Sequence, residues 1–344
     1  MRDLKYLLAY SAPLLALLGL LWGGWWSYAA IIEAFVFIPL LEQLLPFSKE
    51  NTPESQENER SKVFFFDLLL YLHVPIIYGM LWLFFQNMAS GAFSTFETIG
   101  MTASMGLILG SFGINVAHEL GHRQSKLEPL LSKMLLLPNL YMHFIIEHNR
   151  GHHKNVGTDE DPASAKFGET VYAFWFRSSA GAYKNAWKLE AERLRKLGLP
   201  PLHWRNEMIW FQAVQLAYLF GVAFWFGWAV AGFAILIAVI GFLLLESVNY
   251  IEHYGLRRKK LESGRYEPVR LQHSWNSDHE FGRIFLYELT RHADHHYKAT
   301  RKYQILRSFE ESPQLPLGYP GSVILSLVPP LWFKIMNPRV QQFT

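Results

Sequence analysis

Residues 96–122 read FETIGMTASMGLILGSFGINVAHELGH. From Phe96 to Ala117 the stretch carries one charged residue, Glu97, and it reaches the roughly 20 residues a helix needs to cross the hydrocarbon of a bilayer. It then ends in His118 and His122. Four residues along an α-helix rotate a side chain by only about 40°, so the two imidazoles share one face. A membrane span that delivers two imidazoles together at its end sets the question for the whole chain: whether further spans and further histidines gather at the same surface.

The rest of the chain repeats the first half of that pattern. Six stretches qualify as spans, at about 6–22, 25–45, 63–86, 96–117, 208–227 and 229–252, each near the length that crosses lipid as a helix. The first is read as a retained span, because the second follows it after only the turn Gly23 to Trp26, and no small-residue cleavage site stands out. No Lys or Arg lies between Lys5 and Lys49, between Lys62 and Arg123, or between Arg205 and Arg257. Positive charge stays on the cytoplasmic side of short loops, so both termini and every basic residue are expected inside. The turns near Trp25, Ala92 and Trp228 are expected outside.

Leu130 to Ile146 is also largely apolar, but it holds Pro138, Asn139 and His143. A seventh crossing there would put two histidine motifs on opposite sides, so an interfacial or re-entrant segment is expected. The fold class is therefore all-α integral membrane protein. It would form one membrane domain over residues 1–344, with cytoplasmic helical portions at 118–207 and 253–344. Buried helices of a soluble protein are the alternative, and they seldom combine this length with so consistent a charge asymmetry.

Composition narrows the function. Hydrophobic residues make up 51% of the 344 and aromatic residues 16%, yet the mean hydropathy is only +0.07, because densely charged segments offset the spans. The absence of cysteine excludes disulfides, thiolate metal ligands, iron–sulfur clusters held by this chain and a cysteine nucleophile. The formal charge of +3 gives no case for nucleic acid, and no glycine-rich phosphate loop or zinc-finger spacing is present.

Fourteen histidines remain to be placed, and nine of them fall in four short motifs. HELGH supplies His118 and His122, EHNRGHH supplies His148, His152 and His153, NYIEHYG supplies His253, and RHADHH supplies His292, His295 and His296. Imidazole suits iron, zinc, copper or nickel, and nine exceed what one metal accepts, so two metals are expected. Metal-bound histidine usually gives its other ring proton to a carboxylate or carbonyl. Candidates beside the motifs are Glu119, Glu147, Glu252, Asp159, Asp161 and Asp294, joined by His273, Asn276 and His279 of the polar run 272–279. A single pair at spacing four is common on surface helices; four motifs on one side of one membrane are not. Among the remaining histidines, His73 inside the third span reads as a packing contact, and His143 and His203 as interfacial.

These motifs together resemble the membrane-bound alkane 1-monooxygenases of the fatty-acid desaturase and hydroxylase superfamily, and the likeness runs on through SWNSDH, TRKYQILR and LPLGYPG. Desaturases share the looser three-box pattern, whereas NYIEHYG with EHNRGHH points to the alkane enzymes. Thr290 stands where the family usually has glutamine and Tyr297 where it usually has alanine; neither change removes a histidine.

The resemblance implies that the nine histidines hold two non-haem irons. It also implies oxidation of a terminal carbon of a linear, medium-chain alkane by O2, giving a primary alcohol. Two electrons would come from a rubredoxin and its NADH-dependent reductase, at the bacterial cytoplasmic (inner) membrane. With no cysteine here, the rubredoxin is a separate protein or a segment outside this chain.

An alkane dissolves in the bilayer, so its channel should run among the spans. In α-helical register Leu107, Ser111 and Ile114 lie near the face of His118, and Phe242 and Glu246 near that of His253; ordinary helix packing is the competing account. Gly106 and Gly110 read as a close-packing surface. Rubredoxins are generally acidic, and Arg150, Lys154, Arg257, Arg258, Lys259, Lys260, Arg301 and Lys302 are candidates for docking one, although such loops are basic in any membrane protein. The competing functions are a membrane acyl or sterol desaturase or hydroxylase, and a histidine-rich metal transporter. A transporter would carry ionisable ligands near mid-membrane, where only His73 qualifies.

Overall fold

A computed structural model describes residues 2–45 and 47–343; Met1 and Thr344, assigned above to the cytoplasm, lie outside the described residues. Among the described residues there is no β-strand. Six helices are long and apolar enough to cross a membrane: α1 (Asp3–Trp22), α2 (Gly24–Leu44), α4 (Phe64–Ser90), α5 (Thr95–Gly121), α8 (Glu207–Phe226) and α9 (Trp228–His253). They match the six expected spans within a few residues at each end. Between and after them come α3 (Glu54–Arg60), α6 (Leu127–Leu136), α7 (Val171–Lys196), α10 (Glu280–Phe285), α11 (His292–Tyr297), α12 (Tyr319–Ser326) and α13 (Pro329–Val340).

The chain divides into two compact units. The first comprises Met1–Ala34, Asp67–Glu147 and Tyr183–Leu245; the second comprises Phe35–Phe66, His148–Ala182 and Glu246–Thr344.

In the first unit the sequence dictates the turns. Ser94 caps α5: its hydroxyl accepts from the Glu97 amide, and the Glu97 carboxylate accepts from the Ser94 amide, which satisfies two otherwise orphaned donors. Glu97 also accepts from the Gly24 amide at 2.7 Å. That contact fixes the α1–α2 turn, where Gly23 has φ +65° and a Cβ would sit 2.4 Å from Glu97 Oε1, so only glycine fits. Gly106 and Gly110 form the close-packed surface expected of them. A Cβ on Gly106 would meet Ile240 at 2.4 Å, and one on Gly110 the Gly241 carbonyl at 2.8 Å.

Midway along α5 the helix widens into a π-turn at Leu109–Ile114. The Asn139 amide donates to Leu109 O, at the start of this turn, at 3.3 Å and to Leu135 O at 3.1 Å. The apolar stretch 130–146 is broken as its Pro and Asn suggested. It forms α6, a 3-10 turn at Leu137–Asn139, a left-handed Leu140 and a short helix at Phe144–Glu147. It is pinned to the end of α5 by Ser132 Oγ donating to Ala117 O at 2.6 Å. His73 is a packing group, stacked between Tyr10 at 4.8 Å and Phe112 at 5.3 Å.

Candidate metal centre

In the second unit another π-turn, His148–His152, carries the EHNRGHH motif. In an α-helix, positions five apart differ by about 140°. A π-turn, closing i to i+5 bonds, brings residue 153 back over residue 148. His153 Nε2 accordingly lies 3.0 Å from His148 Nε2 and 3.0 Å from His295 Nε2. His152 is left to face the other way.

His152 joins a second group with His253, His292 and His296, all four buried, with ligand nitrogens within 4.8 Å of one another. His253 and His292 meet through Nε2 at 3.1 Å, His292 and His296 at 2.9 Å, and His296 and His152 at 3.1 Å. On α11 the spacing of four places His292 and His296 together, while His295 goes to the His148 and His153 group.

These contacts are not a chain of ordinary hydrogen bonds. Each Nε2 offers either one proton or one lone pair, in the ring plane, yet His292 Nε2 and His296 Nε2 each face two neighbours. Four lone pairs aimed at one central cation satisfy all the rings at once. Ligand nitrogens about 2.1 Å from a metal stand about 3.0 Å apart when adjacent at right angles, which agrees with the observed 2.9 to 3.1 Å; a tetrahedral site would hold them about 3.4 Å apart.

Three of the outer nitrogens have polar side chains beside them. His152 Nδ1 lies 2.9 Å from Asp161 Oδ2, and the same oxygen accepts from Ser164 Oγ at 2.5 Å. Burial alone would push the Asp161 carboxyl up, but His152, by charge and hydrogen bond, and Ser164 outweigh it and hold it below the usual range. His292 Nδ1 lies 3.2 Å from Glu252 Oε1. His253 Nδ1 faces Ser274 Oγ at 3.4 Å. Burial, then the neighbouring rings, hold His296 well below the usual histidine range, so it stays neutral, the form that binds metal.

In the first unit His118 and His122 lie on one side of the end of α5 as expected, ring centroids 5.0 Å apart.

The comparisons give this arrangement a lineage. The fatty acid desaturase family matches residues 94–321. Alkane 1-monooxygenase 2 of Pseudomonas aeruginosa is 40% identical over 362 residues, covering 100% of this chain and 94% of its own. Alkane 1-monooxygenase 1 of the same organism is 42% identical over 93% of this chain and 84% of its own. Alkane 1-monooxygenase 1 of Alcanivorax borkumensis is 35% identical over 97% and 83%.

The chain belongs to the alkane 1-monooxygenase family. It is a multi-pass membrane oxidoreductase of the monooxygenase class, with histidine clusters able to hold metal.

Other residues singled out in this alkane 1-monooxygenase family member sort clearly. Asn276 Oδ1 accepts from the Ala293 amide at 2.7 Å and so caps the first turn of α11. Thr290 Oγ1 donates to Ser277 O at 2.7 Å. Tyr297 is exposed.

Asp294 accepts from Arg301 Nη1 at 2.6 Å and the Arg307 amide at 2.9 Å. Glu119 pairs with Arg123 at 2.6 Å, Glu147 accepts from Asn185 at 3.1 Å, and Asp159 is exposed. His273 Nδ1 accepts from the Arg270 amide at 3.0 Å, and His279 Nδ1 lies 3.0 Å from Ser277 Oγ.

Of the expected channel residues, Leu107, Ile114 and Glu246 are buried, Ser111 is half-buried, and Phe242 stacks on Tyr141 at 5.0 Å. The π-turn at Leu109–Ile114 interrupts the α period that related Leu107 to His118.

The cations expected to dock a partner divide in two. Arg257 donates to Thr158 O at 3.1 Å, and Arg258 donates to Lys154 O at 2.9 Å and Glu267 O at 2.7 Å, so both clasp the loop after the π-turn. Lys154, Lys259 and Lys260 are exposed, and Arg150, Arg301 and Lys302 half-buried. Sequence reasoning missed Ser164, Ser274 and Tyr319, whose hydroxyls reach the site from segments no histidine motif marks. The LPLGYPG run around Tyr319 and the SWNSDH run that begins at Ser274 were the available signals, and nothing marked Ser164.

Proposed function

We propose that this protein hydroxylates the terminal carbon of linear, medium-chain alkanes to 1-alkanols. It would use O2 and two electrons from a rubredoxin served by its NADH-dependent reductase, at two irons held by nine histidines. The two units act as one membrane domain over residues 1–344, and the metal face and both termini lie in the cytoplasm of a bacterial inner membrane. The observation that carries the reading is the convergence of four imidazoles through Nε2, at right-angle spacing, in a chain 40% identical along its whole length to an alkane 1-monooxygenase.

His152, His253, His292 and His296 would hold one iron. His148, His153 and His295 would serve the other, and the family resemblance adds His118 and His122 to the ligand set. When bound, the irons supply the activation of O2, which side chains alone cannot provide. The chain's own groups do the rest. Asp161 and Glu252 keep the protons of His152 and His292 on Nδ1, so that each Nε2 lone pair is presented inward. Burial of His253 and His296 keeps water from these rings. The apolar spans admit a substrate that has no polar handle, and Lys154, Lys259 and Lys260 offer positive charge to an acidic electron donor.

The test is product chemistry. The full chain, combined with a rubredoxin and its reductase, is given a medium-chain linear alkane under 18O-labelled O2, and products are identified by mass spectrometry. Labelled 1-alkanol that requires every component is the expected result. No labelled alcohol from iron-loaded protein overturns the reading in favour of an acyl or sterol desaturase or hydroxylase.

A further inference from the structure

Tyr319 lies outside every histidine motif, yet it is 1% exposed and its hydroxyl donates to Glu252 Oε1 at 2.9 Å. That same oxygen lies 3.2 Å from His292 Nδ1, and His292 Nε2 points into the four-histidine group. The arrangement occurs twice. Asp161 Oδ2 takes His152 Nδ1 on one side and the Ser164 hydroxyl on the other. In both, one carboxylate oxygen accepts from a buried hydroxyl and lies beside a ring Nδ1, hydrogen-bonded to His152 in the one case and at ion-pair distance from His292 in the other.

We infer that Tyr319 is a positioning residue for the four-histidine centre, acting through Glu252 on His292, as Ser164 acts through Asp161 on His152. A glutamate's terminal torsion is broad and soft, so a ring nitrogen at ion-pair distance leaves the carboxylate free to swing. A hydroxyl donating to the same oxygen removes that freedom. The ring behind it is then fixed in tautomer and direction before metal arrives, which lowers the ordering cost of binding.

The fold places Tyr319 firmly. Gly318 precedes α12 where a Cβ would overlap the Glu42 carboxylate, and Pro320 in the first turn of α12 presets the backbone. Ser322 N also closes on Gly318 O at 2.8 Å. The hydroxyl is thereby delivered from a rigid helix start rather than a loop.

The inference rests on the proposed two-iron reading, and the test separates them. Full-length protein is stripped of metal in detergent, then titrated with Co2+ under anaerobic conditions while the visible d–d bands are followed. Wild type is expected to bind in two steps. In Tyr319→Phe, one step weakens about tenfold, the low end of the effect of losing an outer partner. Its bands shift, the other step is unchanged, and the melting temperature of the metal-free protein stays near wild type.

Tyr319→Phe should add nothing further in a Glu252→Leu background, because the effect passes through that carboxylate. Two steps unchanged in Tyr319→Phe, or both weakened together with a lower melting temperature of the metal-free protein, would overturn the role. Wild type that takes no Co2+ overturns the reading of the centre itself, and the inference with it.

Discussion

His292 and His296 each present one nitrogen to two neighbours, and single residues here therefore carry separable consequences. Replacing His253 with alanine opens one corner of the four-histidine group and leaves His148, His153 and His295 untouched. Iron content is expected to fall to about half of wild type, and turnover to be lost; iron analysis on purified protein checks the first. Full activity in His253→Ala would remove NYIEHYG from the site.

Asp161→Asn keeps the shape but loses the charge that His152 and Ser164 share. Metal affinity at that centre should drop about ten- to hundredfold, read by competition with a chelator. Histidine clusters were legible in the sequence because spacing on a helix is a local property. Their sorting was not, because His153 pairs with His148 only through a π-turn that no spacing rule announces. Ser164 and Tyr319 were illegible for a different reason: each reaches its carboxylate through tertiary structure.

Elements show the same division between local and long-range information. The six spans are legible because hydropathy accumulates along a single helix, and the break in 130–146 because Pro138 and Asn139 announce it. The α-helical register that relates Leu107 to His118 is interrupted between them by the π-turn at Leu109–Ile114. Arg257 and Arg258 looked like free surface charge but hold backbone carbonyls of the loop behind the second motif.

Two substitutions test how the elements are held. Asn276→Ala removes the cap from the start of α11, at a cost of about 1 kcal/mol. Because α11 carries three of the histidines, metal retention during gel filtration should fall more than the melting temperature does. Gly110→Ala puts a Cβ 2.8 Å from the Gly241 carbonyl. A backbone oxygen yields less than a side-chain tip would, so a loss of about 1–3 kcal/mol is expected, seen as a lower melting temperature in detergent. An unchanged melt would mean α5 and α9 are not close-packed at this point.

At the scale of the whole molecule the question is which side of the membrane the metal face occupies, since the electron donor must reach it. Every basic residue falls on one side when six spans are threaded with both termini inside, and the three opposite turns hold none. Such asymmetry is what sets orientation during insertion. The absence of native cysteine makes the point directly measurable, because any introduced thiol is the sole target. Ala92 and Trp228, both exposed at turns between spans, should, as Ala92→Cys and Trp228→Cys, react with a membrane-impermeant maleimide added to intact spheroplasts. Lys154→Cys and Lys260→Cys, exposed beside the metal-bearing segments, should react only after the membrane is opened. The reverse pattern would place the histidines away from the cytoplasm, out of reach of a cytoplasmic electron donor, and the proposed route of electrons would fall even if the metal centres stood.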